Sequence, residues 1–334
     1  MKILICLGTR PEWLKIKPIV EKLNVSDYKL LFTGQHLDLL TDIDFNYKFN
    51  IDTGKNRLDD IISTCLLQFP EDDFDYVLVQ GDTASAFACA IAGFNRKIKI
   101  IHLESGLRTY DQLNPYPEES YRQMISRISD INFCPTELSK ENLINEKVSG
   151  INYVVGNTVL DNLLNYKEKT YYGNDVLVTL HRRENHEIMD KWFESLNKVC
   201  EENQDLNFIL PIHPNPNVQK YKELLNKKIK VVDPMSHNEL IETLIGCKFV
   251  ITDSGGIQEE SSFLNKKSIV CRKTTERPEG ITTGHLLLCE NPEDLPTFVY
   301  NLNKNFYINN ECPYGDGNSS IKILNILKNG NSNS

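Results

Sequence analysis

Short apolar runs alternate with longer stretches of helical period from one end of the chain to the other. Met1–Leu7, Lys29–Thr33, Tyr76–Gln80, Lys99–Leu103, Ile131–Cys134 and Tyr153–Val155 read as strands. Pro11–Leu23, Thr83–Phe94, Glu118–Ile128, Glu137–Glu146 and Thr158–Lys167 read as the helices between them. Strand and helix in strict alternation predict a parallel sheet with helices on both faces.

The polar segment Lys167–Asn174 interrupts this pattern, which restarts at Asp175–Leu180. Further strands follow near Leu206–Ile212, Lys230–Val232, Phe249–Thr252, Ser268–Cys271 and Leu286–Cys289. The expected architecture is therefore α/β, with two Rossmann-like domains at residues 1–168 and 175–317, whose sheets face a cleft. Every polar motif of the chain falls just after a strand, where open parallel sheets bind their ligands. There is no G-x-G-x-x-G and no Walker A loop, so the nicotinamide fingerprint is missing and no cofactor is expected.

Composition narrows the partners. The 334 residues are 40% hydrophobic and 25% charged, as in an ordinary globular protein. A net charge of −9 without a long basic run argues against nucleic acid. No apolar run approaches the ~20 residues needed to cross a bilayer. The nine cysteines show no C-x-x-C spacing, and several lie in apolar segments. Together with the lack of a signal peptide, they point to reduced thiols and a cytoplasmic protein.

The most informative stretch is Ser254-Gly255-Gly256-Ile257-Gln258-Glu259-Glu260, which follows the strand Phe249–Thr252. Two glycines at the start of a helix allow close approach of a ligand to free N–H groups, an anion site suited to diphosphate. Glu260 is placed to accept hydrogen bonds from sugar hydroxyls. A helix simply capped by Ser254 is the alternative. After the first strand, Gly8-Thr9-Arg10-Pro11 opens a second pre-formed helix, where Arg10 and Lys15 can add charge for phosphate.

Three carboxylates, Asp82, Glu104 and Glu118, follow strands at one edge of the first sheet and are acid/base candidates. Asp82 could instead cap the following helix, and Glu118 could merely open its own. Glu104, closing an apolar strand, has no evident structural task. His181 ends the strand Val176–Leu180 and is followed by Arg182 and Arg183, which favours an anion site. The remaining histidines lack metal-ligand spacing, so no metal is expected.

Taken together, these motifs resemble the non-hydrolysing UDP-N-acetylglucosamine 2-epimerases. The matching pieces are GTRPEWLKIKPIV at 8–20, TGQH at 33–36, QGDT at 80–83, HLESGLRT at 102–109 and PYPEE at 115–119. GNTVLD at 156–161, HRREN at 181–185, TDSGGIQEE at 252–260, TTERPEG at 274–280 and PYGDG at 313–317 complete the order. The resemblance implies a GT-B fold, a C-terminal helix at 318–330 returning to the first domain, and a homodimer. It implies that Asp82, Glu104 and Glu118 are the acid/base carboxylates and that His181 assists the departing diphosphate. Arg10, Lys15, Ser254, Gly255, Gly256 and Arg277 would hold UDP, with Glu260 on the ribose.

Gln35, His36, Arg57, Arg182 and His213 resemble the contacts of a second, activating UDP-GlcNAc. Asp38 departs from the Gln or Glu usual beside them, and Met235 and Leu240 depart from the usual nucleotide pocket. The reaction so implied converts UDP-GlcNAc to UDP-ManNAc and back. Three alternatives stay open: a 2-epimerase acting on a UDP-2-acetamido-2,6-dideoxyhexose, a hydrolysing epimerase, and a glycosyltransferase or binding protein on the same fold.

Overall fold

The computed structural model describes residues 1–36, 43–51 and 54–330. Asp38 lies outside them. The chain folds as two compact units: Met1–Asn162 with the segment from Gly315 onward, and Leu163–Tyr314.

Among the described residues, the first domain holds a parallel sheet of seven strands: β1 (Ile3–Leu7), β2 (Tyr28–Phe32), β3 (Tyr47–Lys48), β4 (Tyr76–Gln80), β5 (Lys99–Leu103), β6 (Ile131–Cys134) and β7 (Ile151–Val154), in the order β3-β2-β1-β4-β5-β6-β7. Its helices are α1 (Arg10–Val20), α2 (Arg57–Leu67), α3 (Ala84–Asn95), α4 (Glu118–Ile128) and α5 (Glu137–Asn145). Alternate residues of β1 enter different cores, which is why the strand reads as one apolar run. Leu4 and Cys6 pack with Ile61 of α2, Ala88 of α3 and Ile125 of α4, whereas Ile3, Ile5 and Leu7 pack with Ile16 and Ile19 of α1.

The second domain holds six parallel strands: β8 (Asp175–Thr179), β9 (Asn207–Pro211), β10 (Lys230–Val232), β11 (Cys247–Thr252), β12 (Ser268–Cys271) and β13 (Leu286–Cys289), in the order β10-β9-β8-β11-β12-β13. Helices α6 (Met189–Glu202), α7 (Pro216–Gln219), α8 (His237–Gly246), α9 (Gly255–Phe263), α10 (Pro278–Thr282) and α11 (Leu295–Lys304) connect them. Trp192, Phe193 and Leu196 of α6 fill one core with Phe208 of β9 and Phe249 of β11.

The chain's last helix, α12 (Ser319–Gly330), belongs to the first domain. Its Ile323, Leu324 and Leu327 lie in the same core as Ile16 and Ile19. Asp161 anchors it by accepting from the backbone N–H groups of Ser319 (3.0 Å) and Ser320 (2.8 Å), so the aspartate of GNTVLD caps a helix far along the chain.

Two expectations need correction. The expected helix at Thr158–Lys167 is a succession of 3₁₀ turns over Thr158–Lys169. Helix α2 and strand β3 lie in a stretch that showed no element by pattern, although Asn56 caps α2 by accepting from Leu58 N at 3.1 Å. Among the described residues, no helix is long and apolar enough to cross a membrane.

Candidate active site

Strand order reverses direction between β1 and β4 in the first sheet and between β8 and β11 in the second. Loops leaving the carboxyl ends of such a pair diverge and leave room for a ligand. Arg10 and Asp82 follow β1 and β4, and His181 and Ser254 follow β8 and β11, whereas Glu104 follows β5, His213 follows β9 and Arg277 follows β12.

After β1, Gly8 has no space for a side chain: a Cβ would stand 2.3 Å from both Ser85 Oγ and Thr33 Oγ1. Thr9 caps α1, and Arg10 is its first residue, half-buried. Buried Glu12, which the sequence reading did not single out, accepts from Gly8 N at 2.9 Å and from Thr83 Oγ1 at 2.7 Å. It therefore ties the β1 turn to the β4 turn. Burial pushes its carboxyl above the usual range, against those hydrogen bonds.

Asp82 does not cap α3; Thr83 does, accepting from Ala86 N at 3.0 Å. Asp82 instead takes both Nε (2.9 Å) and Nη2 of Arg122. Glu118 stands four residues before Arg122 in α4, on the same helix face as the guanidinium that holds Asp82. Its neighbour Glu119 is structural: fully buried, it accepts from Thr109 N (3.0 Å), Tyr110 N (3.1 Å) and Gln123 Nε2 (2.8 Å).

Glu104 sits at φ +65°, an uncommon conformation for a residue with a side chain. Its carboxylate pairs with Lys15 Nζ at 2.5 Å, takes Gln80 Nε2 at 2.5 Å and takes Asn157 Nδ2 at 3.0 Å. The expectation that this carboxylate lacks a structural task is thus incorrect, since three segments converge on it. Lys15, expected on the phosphates, pairs here with Glu104.

Three of the five expected activator contacts come together in this domain. Arg57 Nη2 donates to the Gln35 carbonyl at 3.0 Å, His36 N donates to the Gly8 carbonyl at 2.9 Å, and Gln35 Oε1 accepts from Ser85 Oγ at 2.7 Å.

In the second domain, fully buried Asp253 organises the turn after β8. It accepts from the backbone N–H of His181 (2.9 Å) and of Arg182 (2.8 Å), and from Asn185 Nδ2 at 3.0 Å. In the sequence Asp253 stood out only as part of the TDSGGIQEE stretch. His181 Nδ1 lies 3.6 Å from Asp253 Oδ1, too long for a hydrogen bond but close enough for the charges to interact. The His181 ring, expected at the departing diphosphate, stacks on that of His213, an expected activator contact, at 5.0 Å. Burial lowers the pKa of both rings, with Asp253 opposing.

After β11, Ser254 occupies the N-cap of α9, yet its side chain makes no capping bond among the described residues. The alternative of a side-chain-capped helix is therefore not realised, and the first N–H groups of α9 keep their capacity for an external acceptor. A Cβ on Gly255 would stand 2.7 Å from Arg277 Nη1, whereas one on Gly256 would meet nothing within 4 Å. Arg277 thus lies against the helix start, its Nε donating to Glu259 at 2.8 Å. Buried Glu260 pairs with His237 Nε2 at 2.9 Å. Met235 lines a recess of about 560 Å³ that also carries Asp175, Asp233, Glu239 and Glu242, a charge unsuited to diphosphate. Among the described residues, no group of three or more His, Cys, Asp or Glu is arranged to hold a metal ion.

A family model described as UDP-N-acetylglucosamine 2-epimerase matches residues 20–328. A UDP-N-acetylglucosamine 2-epimerase of Campylobacter jejuni is 39% identical over 99% of this chain and 98% of its own length. One from Bacillus subtilis (strain 168) is 34% identical over 98% of this chain and 95% of its own length. The crystal structure of UDP-GlcNAc 2-epimerase from Neisseria meningitidis bound to UDP-GlcNAc superposes with a TM-score of 0.91 at 32% identity, covering 98% of this chain and 100% of that one. The two parallel α/β domains are of the GT-B type found in these relatives. The family match and the kinship both run over nearly the full length of the chain, which therefore belongs to the UDP-N-acetylglucosamine 2-epimerase family.

Proposed function

We propose that the protein interconverts UDP-GlcNAc and UDP-ManNAc without releasing free sugar, by eliminating UDP and adding it back. C2 of an N-acetylhexosamine is not adjacent to a carbonyl, so a carboxylate alone removes its proton too slowly. When the C1–O bond loosens, its electron pair leaves with the diphosphate, and the positive charge growing at C1 acidifies the C2 proton. A carboxylate then takes that proton, leaving UDP and a glycal. In the return step the diphosphate oxygen attacks C1 while a proton reaches the opposite face of C2.

Stabilising the leaving diphosphate is as important in this scheme as the base. Ser254, Gly255 and Gly256 at the start of α9, with Arg277 and Arg10, are assigned to the diphosphate, His181 to its departure, and Glu260 to the ribose. Asp82, Glu104 and Glu118 are assigned to C2 and its proton. The observation that carries the reading is Glu104: a carboxylate held at φ +65° by Lys15, Gln80 and Asn157 is pre-organised in a way that a nucleotide-binding module does not require. The contacts of Gln35, His36, Arg57, Arg182 and His213 are assigned to a second UDP-GlcNAc as activator. Sigmoidal initial rates in UDP-GlcNAc support that assignment, and hyperbolic rates without a lag refute it.

Incubation with UDP-GlcNAc in D2O, followed by proton NMR and mass spectrometry, tests the reaction. Both UDP-sugars carrying deuterium at C2 are the expected products. Free ManNAc with UDP would move the chain to hydrolysis, and no exchange would refute this substrate and direct the same assay to UDP-2-acetamido-2,6-dideoxyhexoses.

A further inference from the structure

His102 lies on β5, fully buried, two residues before Glu104. It is paired in register with Val79 of β4. Its Nε2 reaches past the end of β4 to the Gly81 carbonyl at 2.8 Å. A carbonyl can only accept, so the ring proton resides on Nε2. Nδ1 has no hydrogen-bond partner among the described residues. Burial holds the ring's pKa down to about 4, so the imidazole is neutral at pH 7 and serves as a single donor.

What it holds is the pivot of two proposed catalytic turns. Gly81 sits at φ +69° immediately before Asp82, and Glu104 at φ +65°. The Glu104 carboxylate lies over Gly81, its Oε2 at 3.4 Å from the position of a Cβ there, and accepts from the side chain of the preceding residue, Gln80. The Gly81 N–H donates to the Leu103 carbonyl at 2.9 Å, leaving its own carbonyl to His102. Gly81, held at its N–H by Leu103 and at its carbonyl by His102, therefore sets the direction of Asp82 and the seat of Glu104. We propose that His102 is a positioning residue for the reaction, its Nε2–H fixing the Gly81 peptide and through it both carboxylates. The inference rests on the assignment of Asp82 and Glu104 to C2.

His102→Leu removes the donor and His102→Gln retains one at the position of Nε2. The Leu variant is expected to lose about tenfold to a hundredfold in kcat, the cost of displacing a catalytic group by about 1 Å. KM for UDP-GlcNAc and the affinity for UDP should stay within about threefold. Amide hydrogen exchange in segments 80–83 and 103–105 should accelerate, and Gln should restore most of both losses. An unchanged kcat in the Leu variant, or a folded Gln variant no better than Leu in rate and exchange, overturns the proposal. If Leu does not fold, His102→Asn, whose amide falls short of the carbonyl, replaces it in the comparison with Gln. A wild-type enzyme that turns over no UDP-GlcNAc would instead overturn the functional reading, and the positioning role with it.

Discussion

Lys15 and Glu104, 89 positions apart in the chain, form an ion pair at 2.5 Å with both side chains largely withdrawn from solvent. The ammonium carried by α1 thereby supports a carboxylate, where sequence reasoning directed it to a phosphate. Lys15→Met should lower kcat by one to two orders of magnitude while changing UDP affinity by less than about threefold. Steady-state kinetics beside calorimetric titration with UDP separate the two roles. A large loss of UDP affinity with unchanged kcat would return Lys15 to the diphosphate.

Glu104→Gln and Asp82→Asn keep shape and remove a base. Each should lower turnover by about a hundredfold to ten-thousandfold, the usual contribution of a positioned acid or base, with UDP binding nearly intact. A loss below tenfold in either variant would remove that residue from the chemistry. Asp82→Asn also removes one carboxylate partner of the Arg122 guanidinium, which pairs with Glu119 as well, so a drop in thermal midpoint should accompany the loss of rate.

The start of α9 offers a paired test. Ala at 255 places its methyl 2.7 Å from Arg277 Nη1, and Ala at 256 meets nothing within 4 Å. Gly255→Ala should therefore lower both thermal midpoint and UDP affinity. Gly256→Ala should leave the midpoint unchanged or slightly raised, since Ala favours helix, yet weaken UDP about tenfold or more by filling the approach to the N–H groups. Undiminished UDP affinity in Gly256→Ala would show that the diphosphate does not sit there.

Acid should destabilise the fold in a defined window. The His102 ring is buried neutral with a pKa near 4 against 6.5 when unfolded. Between those values the unfolded chain binds the extra proton, so stability is full above pH 6.5 and is lost as pH falls toward 4. The linked contribution is on the order of 3 kcal/mol for a fully buried ring moving from 6.5 to about 4. His181 and His213, lowered in the same direction, add to it. Urea unfolding at pH 7 and pH 4.5 should show a smaller difference for His102→Gln than for the wild type. An identical difference would mean that the ring does not titrate in this way.

The central strands were legible because they are apolar on both faces, as β4 and β12 show by matching their expected bounds residue for residue. Strand β3, two residues long at the sheet edge, carries too little pattern to register. The loops that carry chemistry were also legible, since glycines and charges after an apolar run are local signals. Their partners were not. Arg122 holds Asp82 from 40 positions away, Asn157 holds Glu104 from 53, and Asp253 holds the His181 turn from 72. Such pairings are made by topology, and no spacing rule announces them. Arg108 in HLESGLRT, for the same reason, looks chemical but is spent on Glu146 in a bidentate pair at 2.7 and 2.9 Å.

The first domain is encoded in two separate stretches of the message, so it cannot be finished until the ribosome has passed through the second. Ile323, Leu324 and Leu327 complete a core begun by Ile3, Ile16 and Ile19, and Asp161 waits for the N–H groups of Ser319 and Ser320. During synthesis the second domain must emerge before those residues exist, at a pace of about 5–20 residues per second. For that interval one face of the nascent sheet lacks part of its cover. Ribosome-bound chains halted before Gly315 should be caught by hydrophobic-surface binders such as chaperones, and released from them once α12 clears the exit tunnel.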